Sequence, residues 1–216
     1  MPRPPLERGL YLITPDDPDG DRLLARCRPL LPFASCLQLR NKVMDAASLR
    51  AAGSRLRDAC ADAGVAFVVN DDAALARELA SDGVHLGEHD GAIAEARALL
   101  GGDTVIGASC YDDLERARDA VAAGADYIAF GAFFPSPTKP QARRAGLELL
   151  RDSAGLGVPR VAIGGITPDN GRVLVEAGAD LVAVISGVFD APDPVAAARA
   201  YLSLFRTTLP ENDATT

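Results

Sequence analysis

Of the 22 basic residues in this 216-residue chain, 20 are arginine and two, Lys42 and Lys139, are lysine. Codon bias with two chance survivors would explain that. So would a need, at those two positions, for a compact ammonium rather than a planar fork. Lys42 closes the run Gln38-Leu39-Arg40-Asn41-Lys42. If Leu37 and Leu39 pack on one face of a strand, alternation turns Gln38 and Arg40 to the other, and Lys42 follows on the loop. Two converging cations there suit a polyanion; a solvated basic turn is the alternative. Lys139 lies in Gly131-Ala132-Phe133-Phe134-Pro135-Ser136-Pro137-Thr138-Lys139-Pro140, the longest irregular segment. A long proline-rich loop among short ones is usually functional, and this one reads as a semi-rigid flap carrying Lys139 over a site. The alternative is a surface loop with a solvated lysine.

Two acidic runs follow, Asn70-Asp71-Asp72 and His85-Leu86-Gly87-Glu88-His89-Asp90. At the ends of adjacent parallel strands, about 4.8 Å apart, Asp71 and Asp90 could share one ion. Two carboxylates completed by phosphate oxygens are a usual way to hold Mg²⁺. Asp72 reads as a helix N-cap, and Asp71 and Asp90 could be caps as well. The two histidines lack HExxH spacing; His85 reads as a buried, satisfied imidazole. Ser109 follows the small residues Gly107 and Ala108, so its hydroxyl could bond a substrate or cap a helix. Neither a histidine nor an acid is placed by sequence to make it a nucleophile. Gly164-Gly165-Ile166 and Ile185-Ser186-Gly187 read as backbone phosphate loops, where a side chain would block close approach. Two anion regions result. A neutral one fits a monophosphate. The other, with Arg40, Lys42, Lys139, Asp71 and Asp90, fits a diphosphate–Mg²⁺ complex.

The elements that must position these residues alternate strictly. Strand patterns are predicted at 10–13, 35–39, 66–69, 83–86, 104–108, 127–130, 160–163 and 181–185. Helix patterns are predicted at 21–31, 46–63, 73–80, 91–100, 114–123, 147–154, 170–177 and 194–205. Eight βα units imply parallel strands and right-handed crossovers. The expected architecture is a single α/β domain over 1–216, a compact (β/α)8 TIM barrel, with 1–8 and 207–216 as frayed ends. A doubly wound open sheet is the structural alternative. In the barrel the site lies at the C-terminal ends of the strands, where the residues named above fall. Gly64, Gly83, Gly124 and Gly178 are expected to be left-handed helix stops on the opposite, stabilising face.

Composition removes other classes. Apolar residues are 48% and charged residues 24%, which excludes wholesale disorder. The apolar stretches fall far short of the ~20 residues that span a bilayer, and the first residues lack a secretory pattern. Cys27, Cys36, Cys60 and Cys110 are scattered without a CxxC pair, as expected for reduced thiols in a cytoplasmic chain. A net charge of −8 argues against non-specific nucleic-acid binding. Small-molecule substrates are the expected partners; a homo-oligomer is left open.

Jointly, several segments resemble the thiamine phosphate synthase family: Gln38-Leu39-Arg40-Asn41-Lys42, Val69-Asn70-Asp71-Asp72, Gly83-Val84-His85-Leu86-Gly87 with Asp90, Ile106-Gly107-Ala108-Ser109, Phe134-Pro135 through Thr138-Lys139, Ala162-Ile163-Gly164-Gly165-Ile166 and Val184-Ile185-Ser186. The resemblance implies condensation of a hydroxymethylpyrimidine diphosphate with a thiazole phosphate, giving thiamine phosphate and pyrophosphate. It also implies that bond breaking at the benzylic-type carbon precedes attack by the thiazole nitrogen. Carried over by position, Gln38, Leu39, Arg40, Asn41, Lys42, Asn70, Ser109 and Lys139 bind the pyrimidine diphosphate, with Arg40, Lys42, Lys139 and Ser109 catalytic. Asp71 and Asp90 hold Mg²⁺. Ser136, Pro137, Thr138, Gly165, Ile185 and Ser186 hold the thiazole phosphate. The chain departs from the family pattern at Ala132 (commonly Pro), Ser136 (commonly Thr) and His89 (commonly Gln or Glu). The related thiazole tautomerases share the fold but carry histidine in place of the serine, so an isomerase is the alternative reading. A non-catalytic phosphate-ligand binder is a third.

Overall fold

Alternation along the strands sorts their side chains into two cores. Leu10, Leu12, Leu37, Leu39, Phe67 and Val69 face outward into the layer of helices, while Tyr11, Ile13, Cys36, Val68, Tyr127 and Leu181 fill the interior. The computed structural model describes residues 6–135 and 143–206. Ser136, Pro137, Thr138 and Lys139, with most of the expected frayed ends, lie outside the described residues.

The strands are β1 (Gly9–Ile13), β2 (Ala34–Leu39), β3 (Ala66–Asn70), β4 (Gly83–Leu86), β5 (Val105–Tyr111), β6 (Tyr127–Gly131), β7 (Arg160–Ile163) and β8 (Leu181–Val184). All are parallel, each pairs with its neighbour in sequence, and β8 pairs with β1 from Gly9 opposite Leu181 to Leu12 opposite Val184. That last ladder closes the barrel and removes the open-sheet alternative. The described helices are α1 (Gly20–Cys27), α2 (Ala46–Ala63), α3 (Ala73–Glu78), α4 (Ile93–Leu100), α5 (Leu114–Ala122), α6 (Leu147–Asp152), α7 (Arg172–Glu176), α8 (Ser186–Phe189) and α9 (Pro194–Ser203). Aspartates 19, 45, 72, 113 and 193 cap α1, α2, α3, α5 and α9 through backbone N–H groups of the first turn. Such caps are each worth about 0.5–2 kcal/mol. None of the described helices is long and apolar enough to cross a membrane.

The face opposite the candidate site is stapled by a repeated device. Asp82, Asp126 and Asp180, just before β4, β6 and β8, accept from the N–H groups of Phe67, Ile106 and Arg160 at 2.8, 2.7 and 2.9 Å. Each aspartate ties the start of one strand to the entry of the next.

The structure differs from the sequence expectations in four places. The first helix stops at Cys27 and continues as a 3-10 segment from Arg28 to Phe33, because Pro29 and Pro32 break the α-helical ladder. Strand β5 runs to Tyr111, so Ser109 sits within a strand and Asp113 caps α5 instead. A short helix, α8, begins at Ser186. Gly83 is not the left-handed stop; Ala80 takes that conformation (φ 49°), and a Cβ at Gly83 would lie 2.7 Å from the Val105 carbonyl.

Candidate active site

A line of hydrogen bonds crosses the barrel interior. Gln38 Nε2 donates to the Tyr11 hydroxyl at 2.9 Å, and that hydroxyl meets Tyr127 Oη at 2.9 Å. Tyr127 Oη meets His85 Nδ1 at 2.9 Å, and His85 Nε2 meets Ser109 Oγ at 2.8 Å. Period-two alternation on five strands turns these groups inward, and Gly107 makes the room. A Cβ there would sit 1.9 Å from the Tyr127 ring. The imidazole also stacks on Tyr127, with ring centres 5.5 Å apart. Burial pushes both tyrosine hydroxyls well above their usual range and the His85 ring down to about 4. The ring is therefore neutral at physiological pH, and the expectation of a satisfied imidazole holds. Ser109, expected either to bond a substrate or to cap a helix, ends this line instead of capping.

The loop after β2 is held from the loop after β1. The buried Thr14 hydroxyl donates to the Arg40 carbonyl at 2.7 Å and accepts from the Arg40 N–H at 2.9 Å. Asp16 accepts from the Lys42 N–H at 2.8 Å and pairs with the Arg40 guanidinium at 3.5 Å. Asp17, 3% exposed, takes Arg22 through two contacts of 2.9 and 2.6 Å. Those bonds hold its carboxyl below the usual range. The Asp17 carbonyl in turn accepts from Asn41 Nδ2 at 2.8 Å. Asn41 Oδ1 accepts from the N–H groups of Val43 and Met44, so its side chain is committed to shaping the loop. The Leu39 side chain points to the helices, 2% exposed, and offers the barrel mouth only its backbone. Arg40, Asn41, Lys42, Asn70 and Asp71 border a cavity of about 110 Å³ between the β2 and β3 loops.

Asp71 and Asp90 meet, as their strand-end positions predict. Their carboxyls hydrogen-bond each other. Burial first, then the Asp90 hydrogen bond and charge, raise Asp71 to about 6, against the opposing pull of Lys42. Asp71 adopts φ 66° and its N–H donates to the His85 carbonyl at 2.8 Å, which locks it beside β4. Asp90 Oδ2 accepts from the Gly87 N–H at 2.8 Å, and a Cβ at Gly87 would lie 2.5 Å from that same oxygen. Asp72 caps α3, as expected. Among the described residues no cluster of three or more histidine, cysteine or acidic side chains forms a cage for a metal ion. Mg²⁺ does not need one, because one or two carboxylates with substrate phosphates suffice. Two carboxyls held side by side, with Asp71 raised by burial and by its neighbour, fit such an ion.

The segment after β6 rests on the β7 loop. Phe133 and Phe134 donate to the carbonyls of Ile163 and Gly164 at 3.1 and 3.0 Å, and Ala132 pairs with Arg143 and Ala145. Gly164 and Gly165 take φ of 102° and 63°, and a Cβ on Gly165 would lie 2.4 Å from the Pro135 carbonyl. These glycines are thus required by backbone conformation and by the packing of the segment that follows β6. Ile185 and Ser186 open α8 beside this loop, since Tyr201 Oη donates to the Ile166 carbonyl at 2.8 Å and packs against Gly187. Glu88 lies 3.8 Å from Arg116 and 3.5 Å from Arg143, and both guanidiniums cover the Tyr111 ring.

A family model described as thiamine monophosphate synthase matches residues 10–188. The chain belongs to that family. A thiamine-phosphate synthase of Xanthomonas campestris pv. campestris is 58% identical over 205 residues, covering 95% of this chain and 99% of the relative. One from Azoarcus is 57% identical over 200 residues, covering 92% and 97%. Among solved structures, a Pyrococcus furiosus thiamine phosphate pyrophosphorylase superposes with a TM-score of 0.80 at 34% identity, covering 91% of this chain and 94% of that one. These synthase relatives give the isomerase alternative no support. Sequence reasoning about the family motifs did not single out Tyr11, Thr14, Asp16, Asp17 or Tyr127. Tyr11 carried a signal: it is an inward position two residues before Ile13 on the first strand.

Proposed function

We propose that this chain condenses a hydroxymethylpyrimidine diphosphate with a thiazole phosphate, releasing pyrophosphate. The carrying observation is the Asp71–Asp90 carboxyl pair, with Lys42 acting on it, at the mouth of a barrel of this family. Those carboxylates would hold Mg²⁺, which when bound neutralises charge on the departing diphosphate.

The rest is work for the chain's own groups. Arg40, Lys42 and Lys139 bind the diphosphate and stabilise the charge that grows on it as the bond to carbon breaks. Asn70 and Ser109 add polar contacts, and Gln38 meets the pyrimidine side. Ser136, Pro137, Thr138, Gly165, Ile185 and Ser186 anchor the thiazole phosphate across the mouth, so that its nitrogen faces the electron-poor carbon. Nitrogen attack itself needs no general base, so positioning carries that step. The test mixes both substrates with Mg²⁺ and follows pyrophosphate and thiamine phosphate, with and without EDTA. Product that forms only without chelator supports the reading. Turnover of a single monophosphate in EDTA, or ligand binding without pyrophosphate release, would replace it.

A further inference from the structure

The interior line Gln38–Tyr11–Tyr127–His85–Ser109 has a direction. Gln38 presents Nε2 to Tyr11 and can only donate there. The Tyr11 oxygen accepts from Gln38; of the two neighbours left for its proton, the Cys36 thiol and Tyr127 Oη, the oxygen is the stronger acceptor, so that proton goes to Tyr127, and the Tyr127 proton goes to His85 Nδ1. A neutral imidazole that accepts at Nδ1 carries its proton on Nε2, and that proton goes to Ser109 Oγ. Among the described residues the serine's own proton has no acceptor further along the line, and it is presented at the mouth. A diphosphate has only acceptor oxygens, so this polarity matters: reversed, Ser109 would turn lone pairs toward an anion.

We propose that Gln38 sets the direction of this line, and that Tyr11, Tyr127 and His85 are positioning residues that make Ser109 a hydrogen-bond donor to the anionic leaving group. The synthase reading enters only through what Ser109 meets; the direction of the line stands apart from it. The chain has two histidines, so imidazole ¹⁵N spectra of the ligand-free protein are assignable with a His89→Gln variant. The expected spectrum at pH 8 shows His85 as the Nε2–H tautomer; Nδ1–H there overturns the proposal. Gln38→Glu, with its carboxyl ionised, accepts where the amide donated, so every bond in the line turns round and His85 becomes Nδ1–H. An unchanged tautomer with the introduced carboxyl ionised, as read from its ¹³C shift, also overturns it. A second test covers the case in which Gln38→Glu does not fold. Tyr127→Phe keeps the ring and lowers kcat about tenfold with little change in KM. In a Ser109→Ala background the same substitution has no further effect, because it acts through the serine. Equal losses in both backgrounds mean that Tyr127 does not work through Ser109. Absence of pyrophosphate release from the wild-type protein would sink the synthase reading while leaving the tautomer result to decide this one.

Discussion

Replacing Asp90 by asparagine separates what the carboxyl pair does for the fold from what it does for function. The variant is isosteric, its carbonyl still accepts from Gly87 N–H, and its amide donates to Asp71. In the wild type Asp71 is raised from 3.8 to about 6. Each unit is worth 1.36 kcal/mol, so about 3 kcal/mol bounds the whole effect. Burial is its largest cause, Asp71 is partly exposed, and solvent screens the pair, so the share owed to Asp90 is about 1 kcal/mol. In a domain of this size that is a rise of about 2–4 °C in Tm. The sign follows from linkage. Above pH 6 both the native and unfolded chains carry an ionised Asp71, and the native state bears the repulsion. As pH falls from about 6 toward 3.8, the native state takes up the proton first and regains stability. Melting curves of ligand-free protein in EDTA should therefore place Asp90→Asn above wild type at pH 7.5 and level with it near pH 3.5. Mg²⁺ should raise the wild-type Tm and leave the variant's unchanged, while turnover of the variant falls by about 10²-fold or more. A variant melting at or below wild type at pH 7.5 would show that the two acids do not oppose each other, and the proposed ion site would lose its basis.

Lys139→Ala should lower kcat strongly while thiazole phosphate binding changes little, read by steady-state kinetics and calorimetry. Lys139→Arg should not rescue it, because a planar fork does not fit the space of an ammonium; full activity there would reduce the two-lysine observation to composition. Gly107→Ala puts a methyl 1.9 Å from the Tyr127 ring and should cost about 1–3 kcal/mol by overpacking, or about 2–12 °C in Tm; an unshifted melt would mean the ring has slack. Thr14→Val leaves the backbone N–H and carbonyl of Arg40 without their hydroxyl partner. Urea unfolding should report a loss of about 1–3 kcal/mol, and an unchanged midpoint would refute the claim that Thr14 holds the β2 loop.

The rim of this barrel was legible and its interior was not, for a physical reason. Alternation is a local rule. It tells from a few residues that Gln38 and Arg40 share a face and that Leu37 and Leu39 share the other, and Leu39 does lie among the helices. Strand ends are also local, so the convergence of Asp71 and Asp90 follows once β3 and β4 are taken as neighbours. The segment after β6 and the glycine loops were visible as irregular segments between regular ones. Boundaries went wrong where the chain used a residue against its type, as with Ala80 in a left-handed turn that Gly83 was expected to make.

The polar line belongs to another category, because no local pattern encodes it. Tyr11 and Tyr127 are 116 positions apart and meet only after the sheet closes on itself. On its own strand each tyrosine looks like one more inward apolar residue. Its hydroxyl acquires meaning from groups on four other strands, and the room for the Tyr127 ring comes from the missing side chain at Gly107. The interior of a small barrel must be filled to close-packed density, yet a site at its mouth needs polar atoms at fixed places. Large residues whose bodies pack and whose tips hydrogen-bond meet both demands at once. The tyrosines pack where aliphatic residues would, and they carry a fixed hydrogen-bond direction from Gln38 on one side of the mouth to Ser109 on the other. Substituting either by an aliphatic residue of similar bulk would keep the fill and lose the direction.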